Sequence, residues 1–406
     1  MGYLRQTVKG LGWIGGLRGL TRFVTFIKLA ILARILTPFD FGLFGIAALV
    51  LAFLEIISET GINIFLLQRK EGWKDFLDSA WVISITRGIL VSLTIFLLAP
   101  FISNFFDNPD VISLLYITCF IPLVRGFINP ANIIFQKELN FSKEFLYRLA
   151  LMVTEFSVSV YLAIVLKSPL GLILAILASA VVEVFISFLI SPRPKFKFDW
   201  NKSKSILYQG RWVTGFGIFN YLFTQGDDIA VGRILGESPL GIYQNAYKLA
   251  TLPTTELTDV IYRVTFPIYS KMSEEKQRLK EAIKKQVLFT SIFMFAIGCV
   301  LFIYSREIVL IVLGSQWIEA AGVVKVLAFL GAVRGISFSF NSLFLALEKQ
   351  KYVTYITFTS LFAMVIVLFP MIKTYGIVGA AASEMIASIV SLPVAFYLMR
   401  KTFKDL

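Results

Sequence analysis

Apolar runs recur along the whole chain, each long enough for the roughly 20 residues that cross a hydrocarbon layer, and short polar connections separate them. This pattern predicts twelve helical spans, at residues 11–36, 41–66, 79–103, 111–135, 145–166, 169–191, 207–235, 239–269, 286–304, 319–346, 352–372 and 376–399. Lysine and arginine collect in alternate connections. One side holds Arg5 and Lys9, then Arg69, Lys70 and Lys74, then Lys137 and Lys143, the run from Arg193 to Lys204, the run from Lys271 to Lys285, Lys349 and Lys351, and the terminal Arg400, Lys401 and Lys404; the other side has Lys167, Arg306 and Lys373. Cytoplasmic loops carry the basic excess, so both termini are expected in the cytoplasm. The charged start Met1 to Lys9 before an apolar run looks like a secretory signal, but it lacks a small-residue cleavage site and is expected to stay.

The spans repeat. Shifting the chain on itself by 199 residues places Trp13 on Trp212, Gly16 on Gly215, Thr25 on Thr224, and Arg34-Ile35-Leu36 on Arg233-Ile234-Leu235; Gly42 meets Gly241 and Ala47 meets Ala246. An offset of six spans leaves both copies in the same orientation. The expected fold class is therefore an all-α integral membrane protein of about 12 transmembrane helices, in two pseudo-symmetric six-helix lobes around a central cavity. Its divisions are an N-terminal lobe at 1–191, a basic linker at 192–206 and a C-terminal lobe at 207–406. Two lobes facing one space are a transporter architecture. The linker, Ser191-Pro192-Arg193-Pro194-Lys195-Phe196-Lys197, is expected to be a plain solvated connection.

Composition sharpens this reading by exclusion. The 406 residues are 57% hydrophobic and 16% charged, against about 25% charged in soluble domains. No soluble domain of any size fits between the spans. The net charge of +13 is a topology signal, so no nucleic-acid partner is expected. The chain has no His, and its two cysteines, Cys119 and Cys299, sit in separate apolar runs. A metal site, a redox pair and a cofactor are accordingly not expected. No Gly-rich phosphate loop and no large extramembrane loop suggest an enzyme.

The candidate chemistry is intramembrane charge. Arg18, Thr21, Arg22, Thr25 and Lys28 share an arc of roughly 120° on the first span, a cationic stripe. The repeat places Gly217, Asn220, Tyr221, Thr224 and Asp227 opposite it, beside Gln225 and Asp228, so the charge changes sign. Charges facing lipid cost several kcal/mol, which favours a water-filled cavity; the alternative is snorkelling of Arg18, Arg22, Arg34 and Arg233 to the interfaces. Glu55 and Glu59 lie one turn apart on the second span, and Glu256 and Asp259 on the eighth. Arg87, Arg125, Arg148, Glu155, Glu183, Lys248, Arg263, Lys325, Arg334 and Glu384 complete the set, several of them expected to pair structurally. Pro122, Pro130, Pro253 and Pro267 mark either hinges or passive kinks.

The run from Gln225-Gly226-Asp227-Asp228 through Arg233-Ile234-Leu235-Gly236 to Leu240-Gly241-Ile242-Tyr243, Ala246 and Pro253 resembles the start of the second lobe in the polysaccharide transporter family. Ala33-Arg34-Ile35-Leu36-Thr37-Pro38 with Phe41-Gly42 resembles the start of its first lobe. That family belongs to the multidrug/oligosaccharidyl-lipid/polysaccharide exporter superfamily, whose members commonly carry more spans than the twelve placed here. The resemblance implies a bacterial or archaeal flippase that moves a polyprenyl-pyrophosphate-linked glycan from the cytoplasmic to the outer leaflet of the inner membrane. Membrane lipids and polysaccharide polymerase or export machinery are the implied partners. On this reading Arg18, Arg22 and Lys28 engage the pyrophosphate, assisted by Arg211 or Arg233. Asp227, Asp228, Glu55, Glu59 and Asp259 are gating or coupling residues, for H+ or Na+ if an ion drives transport. The alternatives are an exporter of drugs or of another lipid-linked precursor, or, from a different class, a membrane polysaccharide polymerase or ligase.

Overall fold

The computed structural model describes residues 2–69, 72–138, 140–190, 192–272 and 275–405. Its α-helices are α1 (Gly2–Ile35), α2 (Pro38–Ile57), α3 (Ile62–Gln68), α4 (Leu77–Phe106), α5 (Asp110–Thr118), α6 (Phe120–Gly126), α7 (Ile134–Lys137) and α8 (Phe141–Leu166). There follow α9 (Leu170–Ile190), α10 (Trp200–Leu235), α11 (Glu237–Lys271), α12 (Lys276–Ile303), α13 (Ser305–Val312), α14 (Ala320–Leu327), α15 (Leu330–Ala346) and α16 (Gln350–Asp405). Helix occupies each of the twelve predicted intervals. Among the described residues, seven helices are long and apolar enough to cross a membrane, and an eighth crossing results if the bent α5–α7 segment is one span. The long helices α1, α10 and α11 carry part of the predicted intramembrane charge, including Arg22, Lys28, Asp227 and Lys248. Large apolar side chains cover the outer surface, such as Leu189 (79% exposed) and Phe101 (70%), and only hydrocarbon can satisfy such a surface. The protein is a multi-pass α-helical membrane protein.

Local chemistry sets the breaks. Pro38 opens α2 at a position where the missing N–H costs nothing, and Thr37 and Asp40 cap each other: the Asp40 amide donates to Thr37 Oγ1 at 3.2 Å and the Thr37 amide to Asp40 Oδ2 at 2.9 Å. The predicted span 41–66 is interrupted. Ser58 is the C-cap of α2, its amide donating to the Leu54 carbonyl at 3.1 Å, and Gly61, at φ 65°, takes a left-handed conformation before α3. The predicted span 111–135 is likewise broken, with a 66° bend between Asp110–Gly126 and Pro130–Lys137. Pro130 opens the second arm, and Asn129 caps it by accepting from the Ala131 amide at 2.9 Å. Gly376, at φ 60° and ψ −138°, divides the continuous α16 between the last two predicted spans.

The chain forms two compact units, residues 1–226 and 227–406, joined within α10. In the first, Ile62, Phe65, Leu66, Leu77, Ala80, Ile83, Ala131, Ile133 and Ile206 form a buried cluster. In the second, Tyr269, Leu279, Ile283, Phe340, Leu343, Phe344, Tyr352, Ile356, Ala395 and Leu398 do so. The basic linker is largely exposed, as expected of a solvated connection, and is also tethered at three points. The Lys195 amide donates to Asp78 Oδ1 at 2.7 Å, the Asp199 amide to Ser79 Oγ at 3.2 Å, and Asn129 Nδ2 to the Pro192 carbonyl at 2.8 Å. These few bonds hold an otherwise exposed segment to the start of α4 and to Asn129, while Ile206 sits in the buried cluster.

Candidate functional site: a charged cavity and two ion-pair clusters

In the first unit, α4 and α6 approach so closely that only glycine fits at their contact. A Cβ on Gly88 would stand 2.5 Å from the Pro122 carbonyl oxygen, and one on Gly126 would stand 2.9 Å from the Ser84 carbonyl oxygen. Arg87 and Arg125 immediately precede these glycines, so the crossing carries both guanidiniums to the C-terminal end of α2. There Arg125 Nη1 grips both Glu55 carboxylate oxygens, at 2.7 and 3.0 Å. Arg87 Nη2 donates to the Glu55 carbonyl at 2.6 Å and Arg87 Nε to Ser58 Oγ at 3.1 Å. Its guanidinium lies 3.5 Å from Glu59, which also accepts from the Gly61 amide at 3.0 Å. Cations gathered at a helix C-terminus also complement its dipole. The break between α2 and α3 is thereby held open by side chains.

These groups line a cavity of about 640 Å³, within the range of ligand sites. Its wall also includes Glu183, Asn63, Asn132 and Gly217. The Tyr147 hydroxyl donates to Glu183 at 2.9 Å and receives a bond from Asn132 Nδ2 at 3.3 Å. None of the charged side chains in the Glu55–Arg125 and Glu59–Arg87 pairs is fully buried, their exposures running from 27 to 40%. Such groups can exchange partners with a ligand.

Of the predicted site residues, only Glu55 and Glu59 line this cavity among the described residues. Lys28 on α1 forms an ion pair with Glu155 on α8 at 2.5 Å. Arg22 and Thr25, on the same face of α1, are exposed, as is Arg233 on α10. The side chains of Arg18, Arg211 and Asp259 lie outside the described residues. Asp227 belongs to the second unit, where it is 4% exposed and accepts from the Tyr243 hydroxyl at 2.6 Å. Its neighbour Asp228 interacts with Gln244 and Lys248. Close in sequence on α11, Tyr247 receives a 2.7 Å bond from Arg334 Nη1, and the same guanidinium pairs with the buried Glu384 of α16. Glu55 and Glu59 are brought together with Arg87 and Arg125. Within the first unit, Lys28 is not among the residues that line the cavity.

Pairing is what the sequence could not supply. Arg87, Arg125, Glu155, Arg334 and Glu384 are conspicuous as charges inside apolar runs, but nothing in the chain says which meets which. Tyr243 and Tyr247 were missed as site residues. Their spacing of one helical turn puts them on a common face of α11 with polar partners, a signal easily taken for ordinary aromatic packing.

Comparison with known proteins adds what the geometry alone lacks. The lipopolysaccharide biosynthesis protein WzxC of Escherichia coli is 25% identical over 408 residues, covering 99% of this chain and 82% of that protein. The teichuronic acid biosynthesis protein TuaB of Bacillus subtilis is 24% identical over 410 residues, covering 98% of this chain and 83% of its own. Among solved structures, the lipid II flippase MurJ in an inward closed conformation has a similar fold, with a TM-score of 0.75 at 14% identity over 95% of this chain and 87% of that one. Residues 31–322 match the polysaccharide biosynthesis protein family, and the chain belongs to that family.

Proposed function

We propose that this protein is a flippase that carries a polyprenyl-pyrophosphate-linked oligosaccharide from the cytoplasmic to the outer leaflet by alternating access. The observation that carries the reading is a charged cavity built between membrane helices in a chain of the polysaccharide biosynthesis protein family. Hydrocarbon is a barrier to sugar and pyrophosphate, not to a polyprenyl tail. A polar cavity supplies replacement hydrogen bonds for the headgroup while the tail stays in lipid. The membrane is the cytoplasmic membrane of a bacterium or archaeon, with both termini inside, as the basic connections favour.

In this mechanism two six-helix lobes, divided at the 192–206 linker, rock about a central path. Arg18, Arg22 and Lys28 receive the pyrophosphate, with Arg211 or Arg233 assisting. Arginine suits bidentate contact with phosphate oxygens. Lys28 is held by Glu155, so the pyrophosphate exchanges places with that carboxylate. Asp227 and Asp228 serve gating or coupling to H+ or Na+, together with Glu55, Glu59 and Asp259. Polymerase or export machinery takes the glycan at the outer face.

The test is reconstitution of the purified chain into vesicles carrying a panel of polyprenyl-pyrophosphate glycans, with leaflet occupancy read by a membrane-impermeant glycan-modifying enzyme. Translocation of at least one glycan, abolished by Arg22→Ala or Lys28→Ala at unchanged abundance, is the expected result. A panel that stays in its starting leaflet refutes the function.

A further inference from the structure

The charge balance of the cavity in the first unit narrows what it can hold. Among the described residues, the charged side chains of its wall are the guanidiniums of Arg87 and Arg125 and the carboxylates of Glu55, Glu59 and Glu183. Both guanidiniums are already engaged, Arg125 by the Glu55 carboxylate at 2.7 Å and Arg87 by the Glu55 carbonyl at 2.6 Å and Glu59 at 3.5 Å. Glu183 is held by the neutral Tyr147 hydroxyl. Among the described residues, three formal negative charges therefore stand against two positive ones. A pyrophosphate or an acidic sugar entering here would have to displace a carboxylate from its guanidinium and would still stand beside an excess of carboxylates, and like charges at an interface are strongly disfavoured. An uncharged sugar meets the opposite situation. Its hydroxyls both donate and accept, and the wall presents carboxylate acceptors and guanidinium donors side by side, with the Asn132 amide offering both.

We propose that this cavity is a subsite for uncharged sugar residues of the transported glycan, distinct from the cationic face of α1 that takes the pyrophosphate, and that Glu55, Glu59 and Glu183 exclude acidic sugars from it. The inference rests on the flippase reading and deepens it by naming the sugar chemistry. In the cytoplasmic orientation of the basic loops, the cavity lies toward the C-terminal end of α2, near the Arg69 and Lys74 connection, on the side where a newly made lipid-linked glycan is loaded. The Arg–Glu pairs then serve twice. They keep the empty cavity neutral enough to exist between membrane helices, and they present fixed bidentate groups to vicinal hydroxyls.

The experiment compares two lipid-linked disaccharides on the same polyprenyl pyrophosphate, one ending in glucose and the other in glucuronate, in vesicles containing the full chain. The glucose form is expected to flip at least tenfold faster. Glu55→Gln removes one carboxylate and releases Arg125, and it is expected to raise flipping of the glucuronate form while lowering that of the glucose form. A loss of stability, or of the gating role given to Glu55, would depress both. Glu183→Gln, which leaves the Arg–Glu pairs intact, provides a second variant with the same expected shift. Equal rates for the two disaccharides, or faster flipping of the glucuronate form by the unaltered protein, overturn the subsite while leaving the flippase reading in place. Failure of both disaccharides, with failure of the wider glycan panel, overturns the flippase reading and this inference with it.

Discussion

Gly88 stands where α4 and α6 touch, and Gly88→Ala adds a single methyl group to that contact. The new Cβ would lie 2.5 Å from the Pro122 carbonyl oxygen, 3.0 Å from the Gly126 Cα and 3.3 Å from the Gly126 amide nitrogen. All three are backbone atoms of α6, so no side chain can rotate away and the helices must separate. Overpacking of this kind costs about 1–3 kcal/mol. The displacement reaches function because Arg87 and Arg125 are the chain neighbours of the two glycines. Moving α6 away from α4 lengthens the 2.7 Å contact of Arg125 with Glu55 or the 2.6 Å contact of Arg87 with the Glu55 carbonyl. The assay pairs thermal unfolding in lipid nanodiscs with vesicle flipping. Gly215→Ala on α10 is the control, since a Cβ there meets nothing within 4 Å. Gly88→Ala should lower the unfolding temperature and reduce flipping, and Gly215→Ala should do neither. Unchanged stability and transport in Gly88→Ala would refute the claim that this crossing positions the cavity's cations.

The second unit offers three further tests. Arg334→Leu leaves the buried Glu384 without its cation and should destabilise the protein by about 3–5 kcal/mol, whereas Arg334→Leu with Glu384→Leu should recover most of that loss in the same nanodisc unfolding measurement. Tyr243→Phe removes the 2.6 Å bond to Asp227 and should cost about 1.5–3 kcal/mol, a loss that largely disappears in an Asp227→Asn background when the cycle is measured. Asp227→Asn should fold and yet abolish the response of flipping to an imposed proton or sodium gradient; a normal response would reduce Asp227 to a structural partner of Tyr243. In the first unit, Glu155→Gln should free Lys28 and strengthen pyrophosphate binding, read as tighter competition by inorganic pyrophosphate in the flipping assay.

Hydrophobic periodicity alone determined the all-α membrane class, because a bilayer requires long apolar helices and rejects unpaired backbone. The repeat at 199 residues and the basic connections were equally local information, readable as soon as the chain was aligned with itself. The charges that matter were visible too, since Lys28, Glu55, Arg87, Arg125, Asp227 and Arg334 are costly wherever they occur in apolar runs. Tertiary structure decided their partners. Arg125 lies 70 residues from Glu55 and Lys28 lies 127 from Glu155, separations over which sequence carries no pairing signal. It also decided that the predicted spans 41–66 and 111–135 are broken, because Gly61 and Asn129 act through backbone angles and hydrogen bonds that apolar content does not register. The linker shows the same division: its basic composition suggested solvent, and it is largely exposed, while its tethers to Asp78 and Ser79 on α4 were set by the tertiary structure. Composition is a property of each segment, whereas a cavity is a property of which segments meet.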